Sequence, residues 1–348
     1  MSEPPISVII PLRDELPTLR ELHGRLRASL PADAELIFVD DGSEDGSSEV
    51  LAEIVREDPY CVALKFQRSF GKSQALTAGF ARARGRLIAT MDADLQDLPE
   101  EIPELASYLR RDRSEGEEEW PPIDSDRSGD YDLVSGWRKQ RRDRITKVFG
   151  SRIFNALVRR LSGVPVRDVN CGLKVMRREV VGSIRMEGGF HRFVPLLAHW
   201  KGFRVGEVPV RHAARTHGRS RYGRVRILRG LIDLLVLIFL ERFEQRPSRF
   251  FIQGGGFLSL TGFAIFCYIT FLKLATGTIQ SRYPLLTLGV LLTIVGVQLV
   301  SLGFVAELVA RNNPRGGSST GEPSATEIRG RMTKDERMTK DERIMKSE

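Results

Sequence analysis

Three acidic residues and one amide, Asp92, Asp94, Asp97 and Gln96, follow the apolar run 87–91. The run predicts a β-strand, and in an open α/β sheet ligands gather beyond the carboxyl ends of the strands. Two carboxylates one residue apart can share a hard divalent cation, such as Mg²⁺ or Mn²⁺, whose remaining ligands are substrate phosphates and water. The same acids would also suit the first turn of a helix, where the helix dipole favours them. The neighbouring motifs decide between these two interpretations.

Three further polar clusters end predicted strands, at residues 11–15, 40–43 and 67–73. The first carries Pro and acids where a nicotinamide dehydrogenase would carry Gly-x-Gly-x-x-Gly, which argues against that class. In the second, Asp41 is suited either to hydrogen-bond a nucleoside or to shape an Asp-Gly-Ser turn. In the third, a Gly and Lys72 lie just before a helix, which suits a diphosphate. The Gly-x-x-x-x-Gly-Lys spacing of a P-loop is absent there.

These clusters lie within a repeated pattern of apolar strands and amphipathic helices. Strand-like runs lie at residues 7–12, 36–39, 62–66, 87–91 and 131–136. Strands that are nearly continuous apolar runs are typical of a largely parallel sheet covered on both faces. The sequence therefore predicts an α/β domain over residues 1–222, in which the charged residues 112–130 form a flexible insertion.

The C-terminal third contains two apolar segments, 253–274 and 284–305, each of roughly the 20 residues that a helix needs to cross a bilayer core. We expect two transmembrane helices, joined as a hairpin, within residues 251–311. The preceding residues 223–250 mix arginines with leucines and predict an amphipathic helix at the membrane interface. The polar, low-complexity residues 312–348 predict a disordered charged tail.

Positive charge predicts the orientation of this hairpin. The two flanking regions carry more Lys and Arg than the intervening turn, namely Arg242, Arg246, Arg249, Arg311 and Arg315 against Lys273 and Arg282. The positive-inside tendency then places the α/β domain and both termini in the cytoplasm, as in a multi-pass membrane protein. The net charge of +8 does not indicate nucleic-acid binding, because the densest arginines lie beside the membrane segments, where anionic lipids attract them.

Taken in order, these motifs resemble the family 2 glycosyltransferases of GT-A fold, and within them the polyprenyl-phosphate group that includes dolichol-phosphate mannosyltransferases and bactoprenol glucosyltransferases. The resemblance is carried by residues 8–11, 39–43, 70–72, 91–97 and 212–222. It implies a Rossmann-like, mixed and mostly parallel sheet. It also implies inverting, metal-dependent transfer of a hexose from a nucleoside diphosphate sugar, GDP-mannose or UDP-glucose, to a dolichyl or undecaprenyl phosphate. The donor base and sugar stay open, because modified UDP-pentoses suit the same motifs. Homo-oligomers occur among the related proteins.

The resemblance further implies roles for individual residues. For nucleotide-sugar binding they are Pro11, Asp14, Glu15, Asp41, Lys72 and Asp92. For the divalent metal they are Asp92, Asp94 and Gln96. For catalysis they are Asp94, Asp97 and Arg215, although a role of Asp97 as a base stays open. For the phosphates and the acceptor they are His191, Arg192, Arg215, Ser220 and Arg221. The family usually has Asn at Asp14, a small change, and Lys at Arg221, where Arg keeps the charge but alters its geometry.

The acceptor explains why no strong base is needed. A phosphate monoester, with a second pKa near 6, is already ionised at neutral pH, whereas a sugar hydroxyl must lose a proton before it attacks. Two other functions stay open. A processive polysaccharide synthase shares the fold, but its Gln-x-x-Arg-Trp motif is absent around Trp120, Trp137 and Trp200. A non-catalytic membrane accessory subunit is disfavoured by the intact acids at the strand ends.

Overall fold

The computed structural model describes residues 4–109, 129–139, 155–164, 166–184, 186, 189–213, 230, 232–239, 248–279, 281–312 and 325–328. The chain divides into two compact units. One contains Met1–Leu234 together with Pro323–Glu348, and the other contains Leu235–Glu322.

A single eight-stranded sheet forms the centre of the first unit. Its strands are β1 (Ile6–Leu12), β2 (Glu35–Asp40), β3 (Cys61–Lys65), β4 (Leu87–Thr90), β5 (Leu133–Trp137), β6 (Lys174–Arg177), β7 (Val205–Pro209) and β8 (Thr326–Glu327). Their order is β7-β5-β6-β4-β1-β2-β3-β8. Strands β1 to β4 pair in parallel, whereas β6 and β8 run antiparallel to their neighbours. The predicted mixed and mostly parallel sheet of GT-A type is therefore confirmed.

Helices flank the sheet, as the alternating pattern predicts. They are α1 (Leu19–Ser29), α2 (Ser47–Glu57), α3 (Lys72–Arg82), α4 (Ile102–Ser107), α5 (Arg178–Ser183) and α6 (Val194–Trp200). Residues 155–162 and 232–239 are also helical. Successive side chains of a strand point to opposite faces, so Val8 and Ile10 join the leucines of α1 in one core cluster. Ile9 faces the other way and lies against Gly79 of α3, which covers both faces of β1.

The second unit contains two long apolar helices, α7 (Ser248–Thr276) and α8 (Tyr283–Asn312). Both are long and apolar enough to cross a membrane, and the predicted spans lie inside them. Their backbones approach closely at small residues. A Cβ on Gly255 would lie 2.5 Å from the carbonyl oxygen of Gly296, and one on Gly262 would lie 2.7 Å from that of Gly289. Small residues at such contacts let two helix backbones approach closely and pack as a hairpin.

Residues 325–328, the part of the tail beyond α8 that the structure describes, depart from the expected disorder. Thr326 and Glu327 pair with Lys65 and Leu64 of β3, and the Ile328 N–H donates a hydrogen bond to the Ala63 carbonyl at 2.8 Å. Ile328 also packs against the core. The prediction of disorder over residues 312–348 is therefore wrong for these residues. The strand covers an edge of β3 that would otherwise expose unpaired backbone groups. Amino-acid composition does not predict a strand pairing as short as this one.

Candidate active site

The four sequence clusters meet at one edge of the sheet. Leu12, Asp40 and Lys65 end three neighbouring parallel strands in register with one another, and Thr90 ends β4 beside β1. Residues that follow these positions therefore emerge on the same side. The carboxyl edge of parallel strands is the usual place for a ligand cleft in this architecture.

Asp92, just beyond β4, forms an ion pair with Lys72, the first residue of α3. Burial acts to raise the pKa of Asp92, but the charge and hydrogen bond of Lys72 outweigh it and hold the pKa at about 2. Asp92 is therefore ionised at neutral pH. The pair joins the acidic loop to the beginning of the helix that the sequence predicts to face a diphosphate.

Asp94 lies in a tight loop rather than in a helix. Leu95 has a positive φ of 58°, and the Gln96 N–H donates to Asp94 Oδ1 at 3.2 Å. The hydroxyl of Thr18 holds the loop from the other side by donating to the Ala93 carbonyl at 2.8 Å. Helical structure begins only at Pro99. This excludes the alternative that the acids form the first turn of a helix.

Asp97 is buried, with only 3% of its surface exposed. Burial, and then the negative charge of Asp92, raise its pKa to about 7. Gly172 lies directly between these two carboxylates. A Cβ at Gly172 would be 2.6 Å from Asp97 Oδ2 and 2.8 Å from Asp92 Oδ1, so any side chain here would displace the carboxylates. The sequence prediction assigned no role to Gly172.

Hydrogen bonds between charged residues hold the segment that carries Gly172 in place. Arg138 donates two hydrogen bonds to Asp168, at 2.8 and 3.1 Å, and the Asp168 N–H donates to Glu207 at 2.8 Å. Sequence patterns did not predict these hydrogen bonds, because the residues that form them are far apart in the chain.

Burial, and then the charge of Asp97, raise the pKa of Cys171 to about 12. Its thiol stays protonated, which is incompatible with a role as a nucleophile.

Asp41 organises the loop that precedes Lys72. Its carboxylate accepts hydrogen bonds from the Ser69 hydroxyl at 2.7 Å, the Phe70 N–H at 2.7 Å and the Gly71 N–H at 3.0 Å. The close approach of this loop also requires Gly42, where a Cβ would lie 2.8 Å from the backbone of the loop. The side chain of Asp41 thus holds the loop 69–71, whereas in the Asp-Gly-Ser turn the Ser43 N–H donates to Asp40 Oδ1 at 2.7 Å. Direct contact of Asp41 with a nucleoside stays a prediction.

Asp14 joins the first cluster to the second. Its N–H donates to the Ser43 hydroxyl at 2.9 Å, and its Oδ1 accepts the Glu44 N–H at 3.0 Å. Asp14 adopts a φ of 56°, a conformation that Asn and Asp tolerate best among residues with side chains. The replacement of the family's Asn by Asp is compatible with this geometry. Pro11 is buried within β1, and Glu15 is partly buried after it.

Two of the residues predicted to face the acceptor, His191 and Arg192, lie in a short 3-10 turn. His191 Nδ1 lies 2.9 Å from the hydroxyl of Ser73, the second residue of α3. Burial, and then the neighbouring cations Lys72 and Arg192, lower the pKa of His191 to about 2. The imidazole is therefore uncharged at neutral pH. His191, which the resemblance assigns to the phosphates and the acceptor, therefore brings no positive charge to them.

The motif 212–222 begins beside the acidic loop. His212 forms an isolated antiparallel bridge with Asp97, and the Ala213 N–H donates to the Gln96 carbonyl at 3.0 Å. The predicted site residues Arg215, Ser220 and Arg221 lie outside the described residues. Their roles at the phosphates and the acceptor stay predictions.

The acidic loop offers oxygen donors that suit Mg²⁺ or Mn²⁺. Asp92 and Asp94 supply carboxylates and Gln96 supplies an amide. Within the described ranges, no group of three or more His, Cys, Asp or Glu side chains is arranged to hold a metal ion. This donor set fits a cation that draws its other ligands from substrate phosphates and water, rather than one enclosed by protein.

Comparisons with known proteins identify relatives of the whole chain. The model of the family "Glycosyl transferase family 2" matches residues 7–185. The chain is 35% identical over 321 residues to a dodecaprenyl-phosphate galacturonate synthase of Rhizobium johnstonii, covering 90% of each chain. It is 34% identical over 311 residues to an undecaprenyl-phosphate 4-deoxy-4-formamido-L-arabinose transferase of Pseudomonas aeruginosa, covering 88% of this chain and 85% of the relative.

Solved structures give a more distant likeness. A glucosyl-3-phosphoglycerate synthase from Mycobacterium tuberculosis, in complex with Mn²⁺ and UDP-glucose, aligns with a TM-score of 0.48 at 20% identity, over 67% of this chain and 78% of that one. A mannosyltransferase from Pyrobaculum calidifontis, in complex with GDP-mannose and Mn²⁺, aligns with a TM-score of 0.47 at 15% identity, over 92% and 78%.

Proposed function

The chain belongs to glycosyltransferase family 2, and we propose that it transfers a sugar from a nucleoside diphosphate to the phosphate of a polyprenyl phosphate. The names of both relatives include a polyprenyl phosphate. The two helices α7 and α8, long and apolar enough to cross a membrane, suit an acceptor that is itself a membrane lipid. The observation that carries the proposal is the meeting of Lys72, Asp92 and Asp97 at the carboxyl edge of the sheet.

The donor would lie against the loops after β1, β2 and β3. Asp14 and Asp41 hold these loops in place through backbone N–H groups, and Lys72 brings a positive charge to the diphosphate side. We favour a hexose donor, GDP-mannose or UDP-glucose. The names of the relatives contain a galacturonate and a modified arabinose, so a test panel must include a uronate and a pentose donor.

Asp92, Asp94 and Gln96 would hold a divalent cation, Mg²⁺ or Mn²⁺. When bound, such a cation neutralises charge that develops on a leaving diphosphate. Lys72 supplies a fixed positive charge next to the same group, and Arg215 is proposed to supply a second. Charges that are fixed before the reaction stabilise the leaving group without reorganisation.

The acceptor phosphate would attack the anomeric carbon from the side opposite the diphosphate, so the configuration inverts. The new bond joins a phosphate oxygen to this carbon, and the bond from the carbon to the diphosphate breaks. The acceptor is at least singly ionised at neutral pH because its second pKa is about 6. Asp97, whose pKa burial and the charge of Asp92 raise in the metal-free site, is our candidate to take the proton of an acceptor that is only singly ionised.

We place the catalytic domain and both termini in the cytoplasm. Strand β8 follows α8 in the chain and pairs with β3 of the catalytic sheet. Two crossings return the chain to the side of the membrane on which it started, so we expect both ends of the hairpin on one side. The Lys and Arg residues that flank the hairpin favour the cytoplasmic side.

The direct test incubates the purified protein in detergent with undecaprenyl phosphate and a panel of labelled nucleotide sugars. We expect one sugar to enter the lipid phase in the presence of Mg²⁺ or Mn²⁺, and a chelator to stop the transfer. Asp94→Ala should abolish transfer without loss of the folded state. Asp130→Ala is the matched control, because the Asp130 side chain is 85% exposed. Full activity of Asp94→Ala would refute the metal site.

A further inference from the structure

Ser73 and His191 are joined by two hydrogen bonds across 118 positions of the chain. The Ser73 hydroxyl oxygen accepts the backbone N–H of His191 at 3.3 Å and lies 2.9 Å from His191 Nδ1. Because this oxygen accepts the backbone N–H, its own proton can be donated to Nδ1. This arrangement favours donation by Ser73 to Nδ1, and with it the neutral tautomer that carries its proton on Nε2.

The pair connects two parts of the site. Ser73 is only 3% exposed and follows Lys72, whose ammonium pairs with Asp92. His191 lies in the turn Phe190–Arg192, which the sequence resemblance assigns to the acceptor. The turn is short, so side-chain bonds must supply much of its order, whereas α3 is already fixed on the sheet.

The alternative role for His191 is that of a cation for a phosphate. Its surroundings do not support that role, because burial and two neighbouring cations keep the imidazole uncharged at neutral pH. An uncharged ring whose Nδ1 accepts a hydrogen bond is instead suited to hold one segment against another. The buried hydroxyl of Ser73 is a matched partner, since a buried polar group without a partner is costly.

On the basis of the proposed function, we propose that Ser73 and His191 are positioning residues, which hold the turn Phe190–Arg192 against the first turn of α3 so that the acceptor phosphate lies within reach of the sugar whose diphosphate Lys72 binds. Breaking the pair should move the turn and leave α3 in place. The Michaelis constant for polyprenyl phosphate should therefore rise, whereas that for the nucleotide sugar should stay near its wild-type value. A role in overall folding would not produce this split.

The first test compares variants that separate charge from hydrogen bonding. Ser73→Ala and His191→Lys should each raise the acceptor KM by about tenfold, as expected for one lost hydrogen bond that orders the site. His191→Asn keeps an acceptor atom near the Nδ1 position and should stay within about threefold of wild type. Thr77→Ala is the matched control, because the Thr77 hydroxyl donates to the Ser73 carbonyl of its own helix. Wild-type kinetics of His191→Lys together with a loss in His191→Asn would overturn the proposal in favour of a cation.

A second measurement does not depend on catalysis. In protein with ¹⁵N-labelled histidine, one of the five histidines should show an unprotonated, hydrogen-bonded Nδ1, and this signal should disappear in His191→Asn and shift in Ser73→Ala. A protonated Nδ1 in the wild type, or a signal unchanged by Ser73→Ala, would refute the pair. If no nucleotide sugar supports transfer by the wild type, the proposed function fails and this spectrum still decides whether the pair exists.

Discussion

Gly172→Ala tests whether the carboxylates of Asp92 and Asp97 must keep their positions for activity. The added Cβ would lie 2.6 Å from Asp97 Oδ2 and 2.8 Å from Asp92 Oδ1. Carbon and oxygen atoms in contact prefer about 3.5 Å, so the carboxylates must move by roughly 0.7 to 0.9 Å. The atoms that give way are the ends of side chains rather than backbone, so the fold should persist. Gly172 does not have a left-handed φ, so an alanine at this position adds no backbone strain that could itself lower activity.

We expect Gly172→Ala to lower the rate of sugar transfer rather than the stability of the fold. Catalytic groups must stay within about 0.5 Å of their productive positions, and a displacement of about 1 Å can cost about 10²-fold in rate. We predict that Gly172→Ala loses about 10²-fold in kcat/KM for sugar transfer while its thermal unfolding stays cooperative. The assay is transfer of labelled sugar to polyprenyl phosphate, with circular dichroism to follow unfolding.

A second glycine provides the control. Gly182 lies in α5, and a Cβ there would meet nothing within 4 Å. Gly182→Ala should keep wild-type activity, and its stability should be unchanged or higher by up to about 1 kcal/mol, since Ala favours helix. Wild-type kcat/KM in Gly172→Ala would refute the inference that Asp92 and Asp97 act from the positions described.

Lys72→Met should lower kcat/KM by about 10² to 10³-fold, because it removes one fixed positive charge from the site of a developing anion. Calorimetry should show that the variant binds nucleoside diphosphate more weakly. Unchanged affinity would contradict the role of Lys72 at the diphosphate. In metal-free protein, the carboxyl of Asp97 should titrate near pH 7 by ¹³C NMR, and a midpoint near 4 would refute its burial beside Asp92. Because the folded pKa is raised, the folded state holds this proton more tightly than the unfolded chain, so the contribution of Asp97 to stability should fall as pH rises from about 4 to 7. Ile328→Asp should detach the tail strand and speed hydrogen exchange in β3, and exchange at the wild-type rate would show that the pairing is dispensable.

The positions of the catalytic loops were predictable because they follow from local patterns. An apolar strand that ends in Asp92 and Asp94, and a Gly and Lys72 before a helix, are visible in the sequence, and parallel pairing brings such strand ends to one edge. The choice between an acidic loop and an acidic helical turn required the structure, since both have the same composition. The positive φ of Leu95 settles that choice.

Long-range contacts were not predictable from the sequence alone. Arg138 and Asp168 are 30 residues apart, and no spacing rule links them. Gly172 is one of 32 glycines, and its importance depends on two carboxylates that come from another strand. The neutral state of His191 depends on burial, which a pattern of aromatic and basic residues does not reveal. These features arise only once the chain has folded.

The most direct test of the proposed function is the stoichiometry of the reaction with polyprenyl phosphate. Purified protein, the active nucleotide sugar and undecaprenyl phosphate should release one nucleoside diphosphate for each sugar that enters the lipid. Mass spectrometry should detect a single sugar joined to the lipid phosphate. Several sugars on one lipid would indicate a processive synthase. Release of nucleoside diphosphate with all sugar left in water, or no release at all, would contradict transfer to the lipid phosphate.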